Sequence, residues 1–332
     1  MNQDRKLRWG ILGTAKIARE WMVPAIQSSC NGEVVAIASR DVAKAQDFAA
    51  EFNIGQAYGS YEALLADPSV EAIYNPSPNH MHVPLSLMAI GAGKHVLCEK
   101  PLGLTASELQ PLMEAAAAHP NLVVMEAFMY RFHPQWRKVR ELLDNDAIGQ
   151  VNGVEASFTY FNCDANNVRN KTGIGGGGLL DIGCYCVSAA RFIFGREPKR
   201  VTAVIENDPN FGVDRHASGV LDFAPGMARF YCSTQSDSSQ IVKINGSKGS
   251  LVIESPFYAR SYPSRLILTQ NSEEQIIALE PCNHYITQVE TFTEAVFSGQ
   301  PAPTPLKDAV GNMMVIDALF SSAESGAWLE IA

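Results

Sequence analysis

Apolar positions along this chain follow two different rhythms. In the first 126 residues, short apolar runs at 7–12, 33–38, 72–74, 95–98 and 122–126 alternate with stretches in which apolar residues recur three or four apart. Ile17, Trp21 and Ile26 set the first such stretch; 42–52, 61–65 and 83–90 continue it. The short runs predict buried strands and the wider spacing predicts helices. Asp41 is suited to cap the helix over 42–52, and Thr105 the helix that runs to His119. Gly13 ends the first strand, and Gly91 and Gly93 close the helix over 83–90. Strand and helix joined by short connections predict a doubly wound parallel sheet, because parallel neighbours need a crossover.

After residue 126 the rhythm changes. A helix over 134–143 leads into 151–161, which alternates apolar and polar like a half-exposed strand. Gly175–Gly178 precede a helix over 179–194, and strand-like runs follow at 201–205, 217–223, 227–232, 240–244, 249–253 and 265–269. Ala224-Pro225-Gly226 and Asn245-Gly246 supply turns between them. Helices over 285–297 and 306–324 close the chain. The architecture expected is α/β: an N-terminal Rossmann domain on a doubly wound parallel sheet over 1–126, then a C-terminal α+β domain on a largely antiparallel sheet over 127–332. A sheet with one face on helices leaves the other face to cover, so a homo-oligomer is expected.

Composition narrows the function. The chain has 332 residues, 46% hydrophobic and 18% charged, as a globular protein of about two domains has. Its net charge of -9 repels phosphate backbones, so no nucleic-acid partner is expected. No apolar stretch suits a secretion signal or a membrane span, which predicts a cytoplasmic protein without a membrane partner. The seven cysteines are scattered and odd in number, as reduced thiols are. No metal is expected: Cys184 and Cys186 lack a second pair, and His80 and His82 lack an acidic or Cys partner.

The first strand-turn-helix carries the first chemical signal. Set against G-x-G-x-x-G, Gly13-Thr14-Ala15-Lys16-Ile17-Ala18 keeps only the first glycine, with Ala15 and Ala18 at the second and third places. The helix beyond still offers free amides and a positive dipole end to a pyrophosphate. Gly13, Thr14, Ala15, Lys16 and Ile17 are therefore candidate cofactor residues, although a βα turn without a ligand has the same pattern. The second strand ends Ala38-Ser39-Arg40. Ser39 replaces the carboxylate that accepts from an NAD ribose and would repel a 2′-phosphate, and Arg40 can fork onto that phosphate. Lys44, one turn on, adds charge. The pattern favours NADP and leaves NAD open.

At the carboxyl end of the short strand that begins at Ala72 comes Tyr74-Asn75-Pro76-Ser77-Pro78-Asn79-His80-Met81-His82, a Pro-stiffened polar loop where open α/β sheets bind ligands. Pro76, Ser77, Asn79 and His82 are candidates for the cofactor site, and so are Glu99 and Lys100 of Glu99-Lys100-Pro101. These motifs resemble the glucose–fructose oxidoreductase / inositol dehydrogenase (Gfo/Idh/MocA) family. The resemblance covers essentially the whole chain. It rests on Gly10-Ile11-Leu12-Gly13-Thr14-Ala15, Pro78-Asn79-His80-Met81-His82, Glu99-Lys100-Pro101, the run from Glu126 to Pro134, and the run from Gly176 to Tyr185. It implies an active-site role for Lys100, and a pair formed by Asp181 and Tyr185 four residues apart on a helix. The tyrosine, where inositol dehydrogenases carry histidine, is similar to the branch of dihydrodiol dehydrogenase and NADP-dependent xylose dehydrogenase.

The chemistry so implied is hydride transfer between a nicotinamide and a CH–OH or carbonyl group of a polyhydroxylated substrate, a sugar or trans-dihydrodiol. Tyr185 is expected to exchange the proton at the substrate oxygen. A free phenol titrates near 10, and the ammonium of Lys100, converging on the same carbon, would lower that and polarise the carbonyl. Asp181 is expected to orient a substrate hydroxyl or Lys100. Arg131 and His133 either face the cleft or begin the helix over 134–143. The competing reading is a non-catalytic NADP(H)-binding regulatory protein, which has no need of Lys100, Asp181 and Tyr185 together. The resemblance also implies a homodimer or higher homo-oligomer formed through the antiparallel sheet. The chain lacks the arm of the tight-cofactor members of that family, which implies an exchangeable cofactor.

Overall fold

The computed structural model describes residues 5–259 and 263–331. The chain forms two compact units. The first holds the chain up to Gly103, then Ser107–Met129 and Asn283–Val310; the second holds Leu104–Ala106, Tyr130–Cys282 and the chain from Gly311 onward.

The first unit is built on six parallel strands: β1 (Leu7–Leu12), β2 (Gly32–Ala38), β3 (Gln56–Tyr58), β4 (Ala72–Asn75), β5 (His95–Cys98) and β6 (Val124–Glu126). Their order is β3-β2-β1-β4-β5-β6. The chain winds outward from β1 to β3, then returns to the other side of β1 with β4. That reversal opens a crevice at the carboxyl ends of β1 and β4, where doubly wound sheets hold ligands. Leu7, Trp9, Ile11, Ile37, Ile73 and Leu97 are fully buried between the helical layers. The helix His284–Ser298 joins this unit late in the sequence: Phe292 packs on Trp9 at 5.1 Å and Tyr285 stacks on Trp21 at 5.7 Å.

Two helices open differently from expectation. The stretch after Gly13 is a π-helical turn, Ala18–Met22, followed by an α-helix, Val23–Ser28. Pro24 has no N–H to give the Glu20 carbonyl, and the Val23 amide reaches back five residues to Ala18. The helix expected to begin at Thr105 starts as a 3₁₀ turn, Ser107–Leu109, and becomes α-helical only over Gln110–Ala118, with Pro111 in its first turn.

The second unit carries nine strands: β7 (Val151–Phe161), β8 (Arg200–Asn207), β9 (Asp214–Asp222), β10 (Met227–Ser233), β11 (Gln235–Gly246), β12 (Gly249–Ile253), β13 (Ser264–Gln270), β14 (Glu273–Leu279) and β15 (Leu329–Glu330). Their order is β14-β13-β12-β11-β7-β10-β9-β8-β15. Only β7 and β10 pair in parallel, so the sheet is largely antiparallel, as the sequence predicts. Val154, Ala156 and Phe158 of β7 are buried on one face. The other face exposes Val204, Met227, Ile241 and Ile276. The β11–β12 hairpin turns at Ser247-Lys248 rather than at Asn245-Gly246, because Asn245 and Gly246 remain in the ladder against Gly153 and Val151. No described helix is long and apolar enough to cross a membrane.

Candidate active site

The first unit places the candidate cofactor residues around the carboxyl ends of its strands. Gly13 has φ +100 and its amide donates to the Ala38 carbonyl at 2.8 Å, a conformation that suits glycine at the sharp turn out of β1. Ala15 supplies the first helical carbonyl, to Arg19, so the amides of the turn before it are not used within the helix. Thr14, Ala15 and Ile17 are half-buried, and Lys16 is exposed beside Glu20 at 3.6 Å. Ser39, at the end of β2, is nearly buried and its Oγ accepts from the Asp41 amide. Arg40 is exposed and forms no ion pair among the described residues. Lys44 lies 3.9 Å from Asp41, whose carboxylate caps the helix Val42–Phe52 by accepting from Ala43 and Lys44. That cap already balances the cations at this helix start.

The loop over residues 76–81 is held from beneath. Asn75, fully buried, accepts from the Ser77 hydroxyl at 2.7 Å and donates to the His82 carbonyl and the Ser86 hydroxyl. Pro76 is buried, while Ser77 and Asn79 are half-buried. His82 has Nδ1 2.7 Å from the Pro101 carbonyl and Nε2 2.7 Å from the Ser77 carbonyl. The ring thus ties the loop to the turn that follows Lys100. Burial pulls its pKa down to about 4, so at neutral pH the ring is uncharged and one nitrogen carries the hydrogen.

Lys100, half-buried, is fixed through its neighbours. The Tyr74 hydroxyl donates to Glu99 at 2.7 Å, and burial followed by the charge of Glu99 keeps that phenol protonated. The buried Glu126 carboxylate accepts the Leu102 amide at 2.8 Å. The chain on both sides of Lys100 is therefore held by side chains from β4, β6 and the helix that begins at His82.

The second unit places Asp181 and Tyr185 on one helical rod. Asp181 lies in a π-helical turn, Leu179–Gly183, and Tyr185 at the start of the α-helix Cys184–Phe194. The Tyr160 hydroxyl donates to Asp181 Oδ2 at 2.6 Å, and Arg169 Nε lies 2.7 Å from the same oxygen. Burial and then the charge of Asp181 push the Tyr160 phenol up; the charge of Asp181 also raises Arg169. Tyr160 therefore remains a donor and Asp181 an anion. Tyr185 is buried among the rings of Tyr130, Phe158, Phe257 and Tyr258, with centroids 5.4 to 6.5 Å away. Arg131 and His133 both take structural places. Arg131 donates to Ser188 at 2.8 Å and lies over the Phe192 ring, whereas His133 caps the helix Pro134–Asp144 through the Gln135 amide.

Comparison with known proteins decides the family. A model described as an oxidoreductase family with an NAD-binding Rossmann fold matches residues 7–127, and one described as a GFO/IDH/MocA C-terminal domain matches 136–252. D-xylose 1-dehydrogenase (NADP(+)) 2 of Haloferax volcanii is 38% identical over 98% of this chain and 100% of its own length. Trans-1,2-dihydrobenzene-1,2-diol dehydrogenase of Mus musculus is 38% identical over 75% of this chain and 74% of its own length. The 3-ketoreductase KijD10 of Actinomadura kijaniata, solved with NADP and TDP-benzene, superposes with a TM-score of 0.90 at 29% identity, covering 96% of this chain and 98% of that one. The chain belongs to the Gfo/Idh/MocA oxidoreductase family.

As a member of that family it is an oxidoreductase that uses a nicotinamide nucleotide. The residues present fit that group. Gly13 leaves the turn without a side chain, the amides of the turn stand outside the helical ladder, and Nδ1 of His80 is buried in the adjoining loop without a partner among the described residues. Two supporting residues escape sequence reasoning: Tyr160 and Arg169. Each is distant in sequence from the group it holds or carries no motif of its own. Glu126 stands in a quoted motif, yet its hold on Leu102 becomes visible only when β5 and β6 are neighbours.

Proposed function

We propose that this protein is an NADP-dependent dehydrogenase or reductase acting on a CH–OH or carbonyl group of a sugar or trans-dihydrodiol. Residues 1–126 hold the dinucleotide and 127–332 the substrate. The reading is carried by Asp181, kept charged by two converging donors, one turn before the phenol of Tyr185. A regulator that only senses NADPH has no use for that pair or for a clamped Lys100.

When bound, NADP(H) supplies or accepts the hydride. Tyr185 gives or takes the proton at the substrate oxygen. Lys100 stabilises the phenolate form and donates to the same oxygen. Asp181 accepts from a substrate hydroxyl. Ser39 and Arg40 favour NADP over NAD, because a guanidinium forks onto a 2′-phosphate and a serine does not repel it. Gly13, Thr14, Ala15, Lys16 and Ile17 meet the pyrophosphate, and Lys44 adds charge beside Arg40. Pro76, Ser77, Asn79, His82 and Glu99 shape the nicotinamide end.

The named relatives act on xylose and on dihydrobenzenediol, which supports a polyhydroxylated substrate. The protein is cytoplasmic, and the exposed face of the nine-stranded sheet pairs copies into a homodimer or higher homo-oligomer. A panel of aldoses, ketoses and trans-dihydrodiols, run with NADP⁺, NADPH, NAD⁺ and NADH, tests the reading. Turnover with at least one substrate, faster with the phosphorylated cofactor, is expected. Tyr185→Phe is expected to abolish turnover while NADPH binding persists. Binding of NADPH with no turnover across the panel would overturn the enzyme reading.

A further inference from the structure

Asp214 lies on β9, far in sequence from the helix that carries Asp181 and Tyr185, and no motif marks it. It is nine-tenths or more buried, with 4% of its surface exposed. Its Oδ2 accepts the Leu179 amide at 2.6 Å, and the Gly178 amide also bonds to the carboxylate. Leu179 begins the π-helical turn that holds Asp181. Amides in the first turn of a helix have no partner within it, so a carboxylate there satisfies donors and meets the positive end of the dipole.

The glycine run is shaped around this carboxylate. A Cβ on Gly177 would stand 1.8 Å from Asp214 Oδ1, and Gly177 has φ +109. A Cβ on Gly176 would stand 2.4 Å from the Lys171 carbonyl. The Gly177 amide donates to the Arg169 carbonyl at 2.8 Å, and the Gly177 carbonyl accepts the Asp181 amide at 3.2 Å. The peptide that Asp214 grips is therefore continuous with the backbone of Arg169 on one side and of Asp181 on the other.

We propose that Asp214 is a positioning residue for the reaction: its carboxylate fixes the first turn of the helix and through it the placement of Asp181 and Tyr185. The proposal rests on the reading that those two residues take part in catalysis. The anion accepts from the two amides as a charge-assisted acceptor, more strongly than the neutral acid does. Loss of the charge removes the dipole contact and puts a hydroxyl hydrogen against the glycine cradle.

The surroundings make that charge sensitive to pH. Burial first, then repulsion from Asp181, raise the Asp214 pKa to about 6, against the backbone amides that lower it. The other ionisable groups around it are few. Cys232 comes from β10, where burial keeps its thiol protonated. Glu324, from the helix Leu306–Ser325, lines a groove together with Asp214. Arg169 pairs with Asp181 and tempers its field. Arg215, next on β9, is engaged by Glu206.

The test compares pH profiles of kcat for the wild-type enzyme, Asp214→Asn and Tyr185→Phe, with NADPH affinity measured beside them. The wild type is expected to lose kcat with unit slope below about pH 6. Asp214→Asn is expected to lack that limb, to keep NADPH affinity, and to run about tenfold slower at pH 8, as loss of a charge-assisted hydrogen bond implies. A second readout does not need the variant to fold: in the wild type, the Leu179 backbone amide resonance should titrate with a midpoint near pH 6. An Asp214→Asn profile identical to wild type, or a Leu179 amide that does not titrate, overturns the proposal. If Tyr185→Phe turns over normally while Asp214→Asn still loses the acidic limb, the role of Asp214 stands and only that of Tyr185 falls.

Discussion

The Tyr160 hydroxyl and the Arg169 guanidinium meet on a single oxygen of Asp181, at 2.6 and 2.7 Å. Two donors on Oδ2 fix the rotation of the carboxylate and hold it ionised. A hydrogen bond to a charged group contributes about 1.5–3 kcal/mol, so Tyr160→Phe should lower kcat by roughly tenfold to a hundredfold if Asp181 orients the substrate. NADPH affinity should not change. Steady-state kinetics beside a fluorescence titration of NADPH check both halves. Unchanged kcat in Tyr160→Phe would show that the orientation of Asp181 does not matter to turnover.

Arg40 is the exposed cation at the end of β2, with Ser39 before it. Arg40→Ala should raise KM for NADP⁺ by about tenfold to a hundredfold, as loss of a forked phosphate contact does, and leave KM for NAD⁺ nearly unaltered. Lys44→Ala should act more weakly, since Lys44 is partly engaged by Asp41. Equal effects of Arg40→Ala on the two cofactors would remove Arg40 from 2′-phosphate recognition.

Much of the fold is legible in the sequence because its buried strands are short and apolar. The expected bounds of β1, β5, β7 and β12 agree with the structure residue for residue. Asp41 caps its helix as its position implies. What escapes is set by tertiary context. The edge strand β14, Glu273–Leu279, is exposed over most of its length and has no period-two signal. Asn245-Gly246 has the composition of a hairpin turn, but pairing with β7 keeps both residues in the ladder. The motif residues Lys100, Asp181 and Tyr185 are visible as a pattern. Their supports are not, since Tyr160, Arg169 and Asp214 act through contacts that only the folded chain creates.

Gly177 and Gly173 offer a controlled pair. Both have positive φ, but a Cβ at Gly173 meets nothing within 4 Å, whereas one at Gly177 meets Asp214 Oδ1 at 1.8 Å. Gly173→Ala should cost about 1 kcal/mol, the conformational penalty alone. Gly177→Ala should cost roughly 2–4 kcal/mol, because the carboxylate or the helix start must also shift. Urea unfolding of the two variants measures the difference. Similar losses in both would mean that the cradle around Asp214 yields without strain.

Acid should destabilise this protein below about pH 6.5, and the buried histidines give the reason. Burial lowers both His82 and His133 from 6.5 to about 4. Between those values the unfolded chain binds protons that the folded chain refuses, so stability rises with pH and is lost on acidification. Each histidine contributes a slope of about 1.4 kcal/mol per pH unit across that window. Asp214 acts in the opposite sense: its folded pKa of about 6 lies above the ordinary 3.8, so it favours the folded state as pH falls through that range. His82 and His133 together outweigh Asp214, and His95, which burial also lowers, adds to the loss on acidification. His133→Asn isolates one share of it. Asparagine keeps an oxygen that can accept the Gln135 amide, so the helix cap survives while the titrating ring is gone. Urea unfolding between pH 4.5 and 6 should give this variant a slope shallower than wild type by about 1.4 kcal/mol per pH unit. Parallel slopes for the two proteins would show that His133 carries its proton in the folded state.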